Sequence, residues 1–150
     1  MGTDEVLITY VKKKHKSHED IIEDILSKGF QYHEMPLPEE VGECSIDQEV
    51  RSRVDECNVL VVYISKEGKV NPCLTQAVNY AKERNKRIIS LWVEDNAEVG
   101  DMNGALERHS DCVIIYNGDF STLLGEEDEV WVKPNGDGFS DREIKHHKCG

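Results

Sequence analysis

Four short apolar runs, separated by stretches with helical spacing, restrict what this chain can fold into. The runs cover residues 6–11, 59–64, 88–93 and 112–116. They are rich in β-branched and aromatic residues with little polar alternation, which is typical of strands covered on both faces, as in a parallel sheet. A weaker run over residues 30–35 alternates between apolar and polar residues and stops before Pro36, so it predicts an edge strand.

The stretches between these runs predict helices. The predicted helix starts are Ser17, Ser45 or Asp47, Asn71 and Asn103. The third start is followed by Pro72, which suits the first turn of a helix, and that helix should run to about Asn85. Alternation of strands and helices predicts parallel strands joined by right-handed crossovers. We therefore predict an α/β, flavodoxin-like three-layer fold with a five-stranded parallel sheet in the order 2-1-3-4-5.

Length and charge narrow the class of protein. The 150 residues suit one domain, and 30 acidic residues against 18 Lys and Arg give a formal net charge of −12. This balance disfavours nucleic acid as a partner, and the basic run 12–16 is interpreted as a solvated loop. No apolar stretch approaches the roughly 20 residues that span a bilayer, and the first residues do not resemble a signal peptide. We expect a cytoplasmic protein that binds neither nucleic acid nor membrane.

The five cysteines form no CxxC pair, so reduced thiols are the expectation. Cys57 and Cys112 adjoin apolar runs and are predicted to be small core residues. His146, His147 and Cys149 lie near the C-terminus, but their spacing alone is a weak indication of a metal site, and no metal is predicted.

The predicted strand order places a ligand crevice between the first and third strands, where neighbouring crossovers leave on opposite faces. The helix that starts at Asn71 points its positive end toward this crevice, which suits an anion such as phosphate. The candidate ligand-binding residues are Tyr10, Val11, Lys12, Ser65, Asn71 and Cys73. Cys73 is also a candidate reactive thiol because it lies in the first turn of that helix, although a buried cysteine is the more common case.

Three segments, within about residues 5–118, resemble the TIR and TIR-like domain family. The strand from Val6 to Tyr10 is similar to the first box of the family, and the long loop 36–45 stands where TIR domains carry their BB loop. The stretch Tyr63-Ile64-Ser65, followed by residues 71–77, is similar to a strand ending in Ser and then an aromatic-Cys-x-x-Glu helix start. The resemblance implies a single TIR-like domain over residues 1–150, with a C-terminal extension from 119 to 150.

This resemblance also implies a function. Enzymatic TIR domains are hydrolases that cleave the nicotinamide bond of NAD, and some bacterial ones make cyclic or conjugated ADP-ribose signals in antiphage defence. The expectation is therefore a prokaryotic immune signalling protein that handles NAD or an ADP-ribose-type nucleotide. It would act as a homo-oligomer or with an effector protein bound through the 36–45 loop.

The family uses a glutamate beside the ribose to stabilise an oxocarbenium-like centre. The aligned residue here is Gln76, or Ala77 if the register slips by one, and neither supplies a charge. Glu67 and Glu94, which follow the third and fourth strands, are the candidate substitutes. Gln76, Glu67 and Glu94 are thus the predicted catalytic positions.

Two other functions remain open at this stage. The first is a non-catalytic nucleotide- or protein-binding module, which the absence of the glutamate favours. The second is glycosyl transfer like that of the nucleoside 2-deoxyribosyltransferases, which have a similar fold and also rely on a glutamate in the comparable region.

Overall fold

The computed structural model of the protein describes residues 4–12, 14–93 and 99–116. The strands are β1 (Glu5–Val11), β2 (Gln31–Leu37), β3 (Val59–Ile64), β4 (Arg87–Trp92) and β5 (Cys112–Ile114). The helices are α1 (His18–Ser27), α2 (Asp47–Glu56), α3 (Pro72–Glu83) and α4 (Gly104–His109). Short 3₁₀ turns cover Lys66–Gly68 and Val99–Asp101.

The five strands form one sheet in the order β2-β1-β3-β4-β5, and every neighbouring pair is parallel. This confirms the predicted flavodoxin-like α/β fold and the position of β2 at the sheet edge. Strand β2 differs from the prediction because it continues through Pro36 to Leu37, with Pro36 opposite Tyr10 of β1. An edge strand tolerates proline since the missing N–H need not serve the sheet.

Helices cover both faces of the sheet, which gives the predicted three layers. On one face Leu7, Leu60 and Ile88 pack with residues of α2, α3 and α4. On the other face the alternate residues of the same strands, such as Ile8 and Val61, pack with the apolar side of α1. The residues of β3 are all buried, as expected for a strand with helices on both sides.

The helix starts agree with the sequence pattern where an asparagine is present. The side-chain oxygen of Asn71 accepts from the backbone N–H of Leu74 at 3.0 Å, and Asn103 accepts from Ala105 at 2.8 Å. Such caps satisfy amides that have no partner inside the helix. Ser17 stands at the start of α1 without a side-chain cap bond. Strand β5 ends at Ile114, two residues earlier than predicted.

None of the helices in the described ranges is long and apolar enough to cross a membrane. The predicted C-terminal extension, with His146, His147 and Cys149, lies outside the described residues.

Candidate functional site

The crevice predicted between β1 and β3 is occupied by its own side chains. Tyr10 and Val11 are 6% and 0% exposed and belong to the cores on opposite faces of the sheet. Ser65 is 4% exposed, and its hydroxyl donates to the carbonyl oxygen of Val11 at 3.4 Å. These three candidate ligand-binding residues are therefore buried where β1 and β3 end, and they fill the predicted crevice.

Lys12 and Asn71 contact the segment between β2 and α2, residues 38–46, which we call the 38–46 loop. Lys12 Nζ lies 3.3 Å from Glu39 Oε1, and both side chains are more than half exposed. The buried Asn71 donates from Nδ2 to the carbonyl oxygen of Pro38 at 2.8 Å while it caps α3. Asn71 therefore ties the loop to the start of α3.

Of the two acidic residues predicted as substitutes, the structure describes only Glu67, and it does not lie beside Gln76 in a common cleft. Glu67 lies half-buried in the 3₁₀ turn after β3 and is not among the residues that line the cleft next to Gln76. Glu94 lies outside the described residues, as does Lys13.

The expectation of reduced thiols fails for one pair, because Cys44 and Cys73 form a disulfide with their Cα atoms 4.8 Å apart. The two cysteines are 29 residues apart, and only the folding of the 38–46 loop onto α3 brings them together. Cys73 is 0% exposed and is disulfide-bonded rather than a reactive thiol. Cys57 and Cys112 are buried thiols outside the disulfide, as predicted, and burial raises the pKa of Cys57 to about 11.

Gln76 lines an open cleft of about 500 Å³ between the 38–46 loop, α2 and α3. We call it the loop cleft, and its lining residues are Gly42, Glu43, Cys44, Asp47, Arg51, Pro72, Thr75 and Gln76. Glu43 and Asp47 are acidic residues that line the same cleft as Gln76. Sequence reasoning missed these two residues, since nothing in their spacing relates them to Gln76, which follows them by 33 and 29 positions.

Arg51 gives the loop cleft a positive group. Its Nε lies 3.3 Å from Asp47 Oδ2, one helical turn away, and both side chains are about half exposed. Its guanidinium carbon stands 5.5 Å from the ring centroid of Tyr80. Carboxylate and amide oxygens accept from sugar hydroxyls, and a guanidinium binds phosphate oxygens through paired N–H groups. The loop cleft thus carries polar groups suited to both parts of a nucleotide.

A second group of polar side chains lies at the carboxyl ends of β1 and β3, on the α1 face. We call it the His–Tyr cluster, and its members are Tyr10, His15, His18, Glu34 and Tyr63. His18 Nδ1 lies 2.6 Å from the hydroxyl of Tyr63, and His18 Nε2 lies 3.1 Å from Glu34 Oε1. The hydroxyl of Tyr10 donates to the same Glu34 oxygen at 3.2 Å.

Burial and charge shift the acid–base behaviour of this cluster. Burial raises the pKa of Tyr63, and the negative charge of Glu34 raises it further. Burial alone would raise the pKa of Glu34, but hydrogen bonding and charge from His18, with the charge of Lys14, outweigh it and hold that pKa below its ordinary value. Glu34 is therefore an ionised carboxylate held in a largely buried network.

Little in the sequence pattern indicates the His–Tyr cluster. The prediction placed Tyr10 and Tyr63 in strands, and a histidine at the start of a helix has no partner that can be identified from spacing. The three rings of Tyr10, Tyr63 and His18 meet only because the α1 crossover brings His18 onto the two strand ends, with centroids 5.6–6.4 Å apart.

The sheet order and the helices on both faces define an open, doubly wound α/β domain of the flavodoxin-like type. The sequence matches no protein-family model and no curated protein. Among solved structures, the chain is similar to diflavin flavoprotein A3 from Nostoc sp., with a TM-score of 0.47 and 18% identity. The match covers 62% of this chain and 61% of that one.

Proposed function

We propose that this chain is a TIR-like domain of prokaryotic immune signalling that binds NAD or an ADP-ribose-type nucleotide in the loop cleft. The observation that carries the proposal is the position of Gln76. The residue that aligns with the family's glutamate lines a cleft of about 500 Å³ that Glu43 and Asp47 also line. A cleft of this size is within the range that holds small ligands.

Each polar group of the loop cleft has a role in this proposal. The Gln76 amide and the Asp47 carboxylate hydrogen-bond the hydroxyls of a ribose. Arg51, which is half exposed, binds a phosphate oxygen in exchange for part of its contact with Asp47. In the enzymatic version, Asp47 or Glu43 supplies the negative charge that stabilises an oxocarbenium-like ribose when nicotinamide leaves.

Binding can be tested apart from catalysis by titrating the full chain with NAD and with ADP-ribose in a calorimeter. We expect Gln76→Ala and Arg51→Ala each to weaken binding about tenfold, since one lost hydrogen bond to a ligand is about 1.4 kcal/mol. Gln48→Ala is the matched control because Gln48 is exposed on α2 and does not line the loop cleft. Equal affinities for all three variants would place the ligand elsewhere.

Catalysis is tested by incubating concentrated protein with NAD and following nicotinamide and nucleotide products by mass spectrometry. Formation of nicotinamide and an ADP-ribose derivative would establish a glycohydrolase or cyclase. Loss of both products in Asp47→Asn would assign Asp47 as the carboxylate that stabilises the oxocarbenium-like ribose. Intact NAD together with measurable binding would leave a non-catalytic nucleotide-binding module.

A protein-binding role has separate support from the 38–46 loop. Val41 is fully exposed on this loop, while the Cys44–Cys73 disulfide and the Asn71–Pro38 hydrogen bond hold the loop's base. We propose Val41 as a contact for a second copy or an effector protein, because the loop that carries it is held at its base. Light scattering of the wild type and of Val41→Asp tests self-association, and identical monomer masses over a concentration series would rule out the homo-oligomer.

A further inference from the structure

Three potential metal ligands meet where the 38–46 loop lies on α3. One carboxylate oxygen of Glu40 and the sulfur atoms of Cys44 and Cys73 all lie within 4.8 Å of one another. Glu40 Oε2 is 3.7 Å from Cys73 Sγ. Zinc binds sulfur at about 2.3 Å and carboxylate oxygen at about 2.0–2.2 Å, so two ligands on one tetrahedral ion stand about 3.5–3.8 Å apart. The Glu40–Cys73 distance already has this value.

The carboxylate is held in place by its neighbour. The backbone N–H of Ser45 donates to Glu40 Oε2 at 2.6 Å, and the Ser45 hydroxyl donates to Glu40 Oε1. Outer hydrogen bonds of this kind orient ligating carboxylates in metal sites. Ser45 therefore aims the Glu40 carboxylate toward the two sulfur atoms without taking all of its lone pairs.

Cys73 lies in the first turn of α3. It is the second residue of the helix, so the positive end of the helix dipole is close to it. Thiolate, rather than thiol, is the form that binds a metal. Cys44 is half-buried and lines the loop cleft, which gives an ion a route from solvent.

We infer that Glu40, Cys44 and Cys73 form a Zn²⁺ site in the reduced chain, in exchange with the disulfide seen here. A dithiol reductant supplies two electrons and two protons to the Cys44–Cys73 bond and itself becomes a disulfide. Zn²⁺ then displaces the two thiol protons into solvent and takes two thiolates and one carboxylate as ligands. Water from the loop cleft fills the fourth position, as in zinc sites with three protein ligands.

This site does not depend on nucleotide binding. It makes the anchoring of the 38–46 loop independent of redox state, because the loop is joined to α3 by a disulfide when oxidised and by a metal ion when reduced. Loss of both links would free the loop from the first turn of α3, apart from the Asn71–Pro38 hydrogen bond.

The test uses two samples of the full chain, one air-oxidised and one reduced with a phosphine. The phosphine reduces the disulfide and is converted to the phosphine oxide, whose oxygen comes from water. Zn²⁺ is titrated in competition with a chromophoric chelator, and Co²⁺ is used as a spectroscopic probe of thiolate ligation. The reduced wild type should bind one Zn²⁺ per chain and show thiolate-to-cobalt charge transfer. The oxidised chain should show neither.

Variants assign the ligands. Cys44→Ser and Cys73→Ser should each weaken Zn²⁺ binding more than about 100-fold, since loss of an outer partner alone costs about 10–100-fold. Glu40→Gln should weaken it by at least about tenfold, and Ser45→Ala by about tenfold. Glu39→Gln is the matched control, because this exposed neighbour pairs with Lys12 and should leave the affinity unchanged. Circular dichroism shows whether each variant folds. If a cysteine variant does not fold, the Zn²⁺ affinities of Glu40→Gln and Ser45→Ala test the site instead.

The C-terminal residues His146, His147 and Cys149 are the competing source of ligands. A variant with all three replaced should keep the Zn²⁺ affinity and the cobalt spectrum of the wild type. The inference is overturned if that variant loses the ion while Cys44→Ser keeps it. It is equally overturned if the oxidised chain binds Zn²⁺ as well as the reduced one.

Discussion

Single residues of the His–Tyr cluster have stability consequences that can be measured. Tyr63 is 1% exposed and His18 is 6% exposed, so neither can exchange its hydrogen bond for one to water. A buried polar atom left without its partner costs about 1–3 kcal/mol. The 2.6 Å contact between the Tyr63 hydroxyl and His18 Nδ1 is therefore a sensitive point of the fold.

Replacing Tyr63 with Phe removes only the hydroxyl. We expect the free energy of unfolding, measured by urea denaturation, to fall by about 1–3 kcal/mol because His18 Nδ1 loses its partner. Tyr32→Phe is the control, since Tyr32 is half-buried on edge strand β2, and it should change stability by less than about 0.5 kcal/mol. Equal losses in both variants would mean that the Tyr63 hydroxyl has no special role.

Glu34 gives the cluster a pH dependence. Its pKa is lowered in the folded state from an ordinary value of 4.5, so its ionisation stabilises the fold. This contribution is fully present above pH 4.5 and is lost as the pH falls through the lower folded pKa. The stability difference between wild type and Glu34→Gln should accordingly be largest near neutral pH and shrink below pH 4.5.

Urea denaturation of both proteins at a series of pH values measures this difference. Glu23→Gln, at an exposed position of α1, controls for the loss of one negative charge. If Glu34→Gln and Glu23→Gln follow the same pH course, the contacts of Glu34 with His18 and Lys14 do not contribute.

At the scale of elements, Asn71 connects a helix start with a loop. Asn71→Ala removes both the cap to Leu74 and the hydrogen bond to Pro38, and we expect a loss of about 2 kcal/mol, since a cap alone contributes about 1 kcal/mol. Asn71→Asp keeps the acceptor for the N–H of Leu74 and removes only the Nδ2 donor to Pro38, so its loss of stability should be smaller than that of Asn71→Ala. Thermal or urea unfolding ranks the two variants, and the reverse order would contradict the cap assignment.

Much of the element pattern was predictable from the sequence. Runs such as Val59–Ile64 are apolar throughout because both faces of the strand are covered, and this property is visible in the residues themselves. The end of β2 was predicted wrongly because an edge strand accepts a proline in its interior when the missing N–H faces away from the neighbouring strand, and that direction depends on the register with β1. The end of β5 was also predicted wrongly, since Ile115 and Tyr116 continue the apolar run beyond Ile114, where the register with β4 ends.

The site was less accessible to sequence reasoning. Gln76 was identified by its position in a motif, yet its neighbours come from another helix and from the 38–46 loop. Cys44 and Cys73 meet across 29 residues only after that loop has folded. Loop conformation depends on specific contacts such as that of Asn71 with Pro38, and periodicity carries no information about them.

At the scale of the whole molecule, the net charge of −12 acts against the compact state. Added salt screens this repulsion, with a Debye length that falls from about 30 Å at 0.01 M to about 10 Å at 0.1 M. We expect the free energy of unfolding to rise by on the order of 1 kcal/mol between about 0.01 M and about 0.5 M NaCl. Urea denaturation at several salt concentrations measures this rise.

A charge-reduced variant tests the cause of the salt effect. Changing the exposed Glu19, Glu23, Glu49 and Glu56 to Gln takes the formal charge from −12 to −8. Its stability should depend less on salt than that of the wild type. A larger dependence would show that attractive ion pairs dominate over the net repulsion.

Pro36 has a consequence for how copies of the chain meet. Strand β2 is one of the two edges of the described sheet, and the N–H of Gln31 points inward to the carbonyl oxygen of Asp4. Amide directions alternate along a strand, so the amide position of Pro36 faces outward, where it has no hydrogen to donate. A strand of another chain that approached β2 would find one backbone N–H donor missing, at Pro36. The proline thus discourages edge-to-edge strand pairing between copies of the chain at β2.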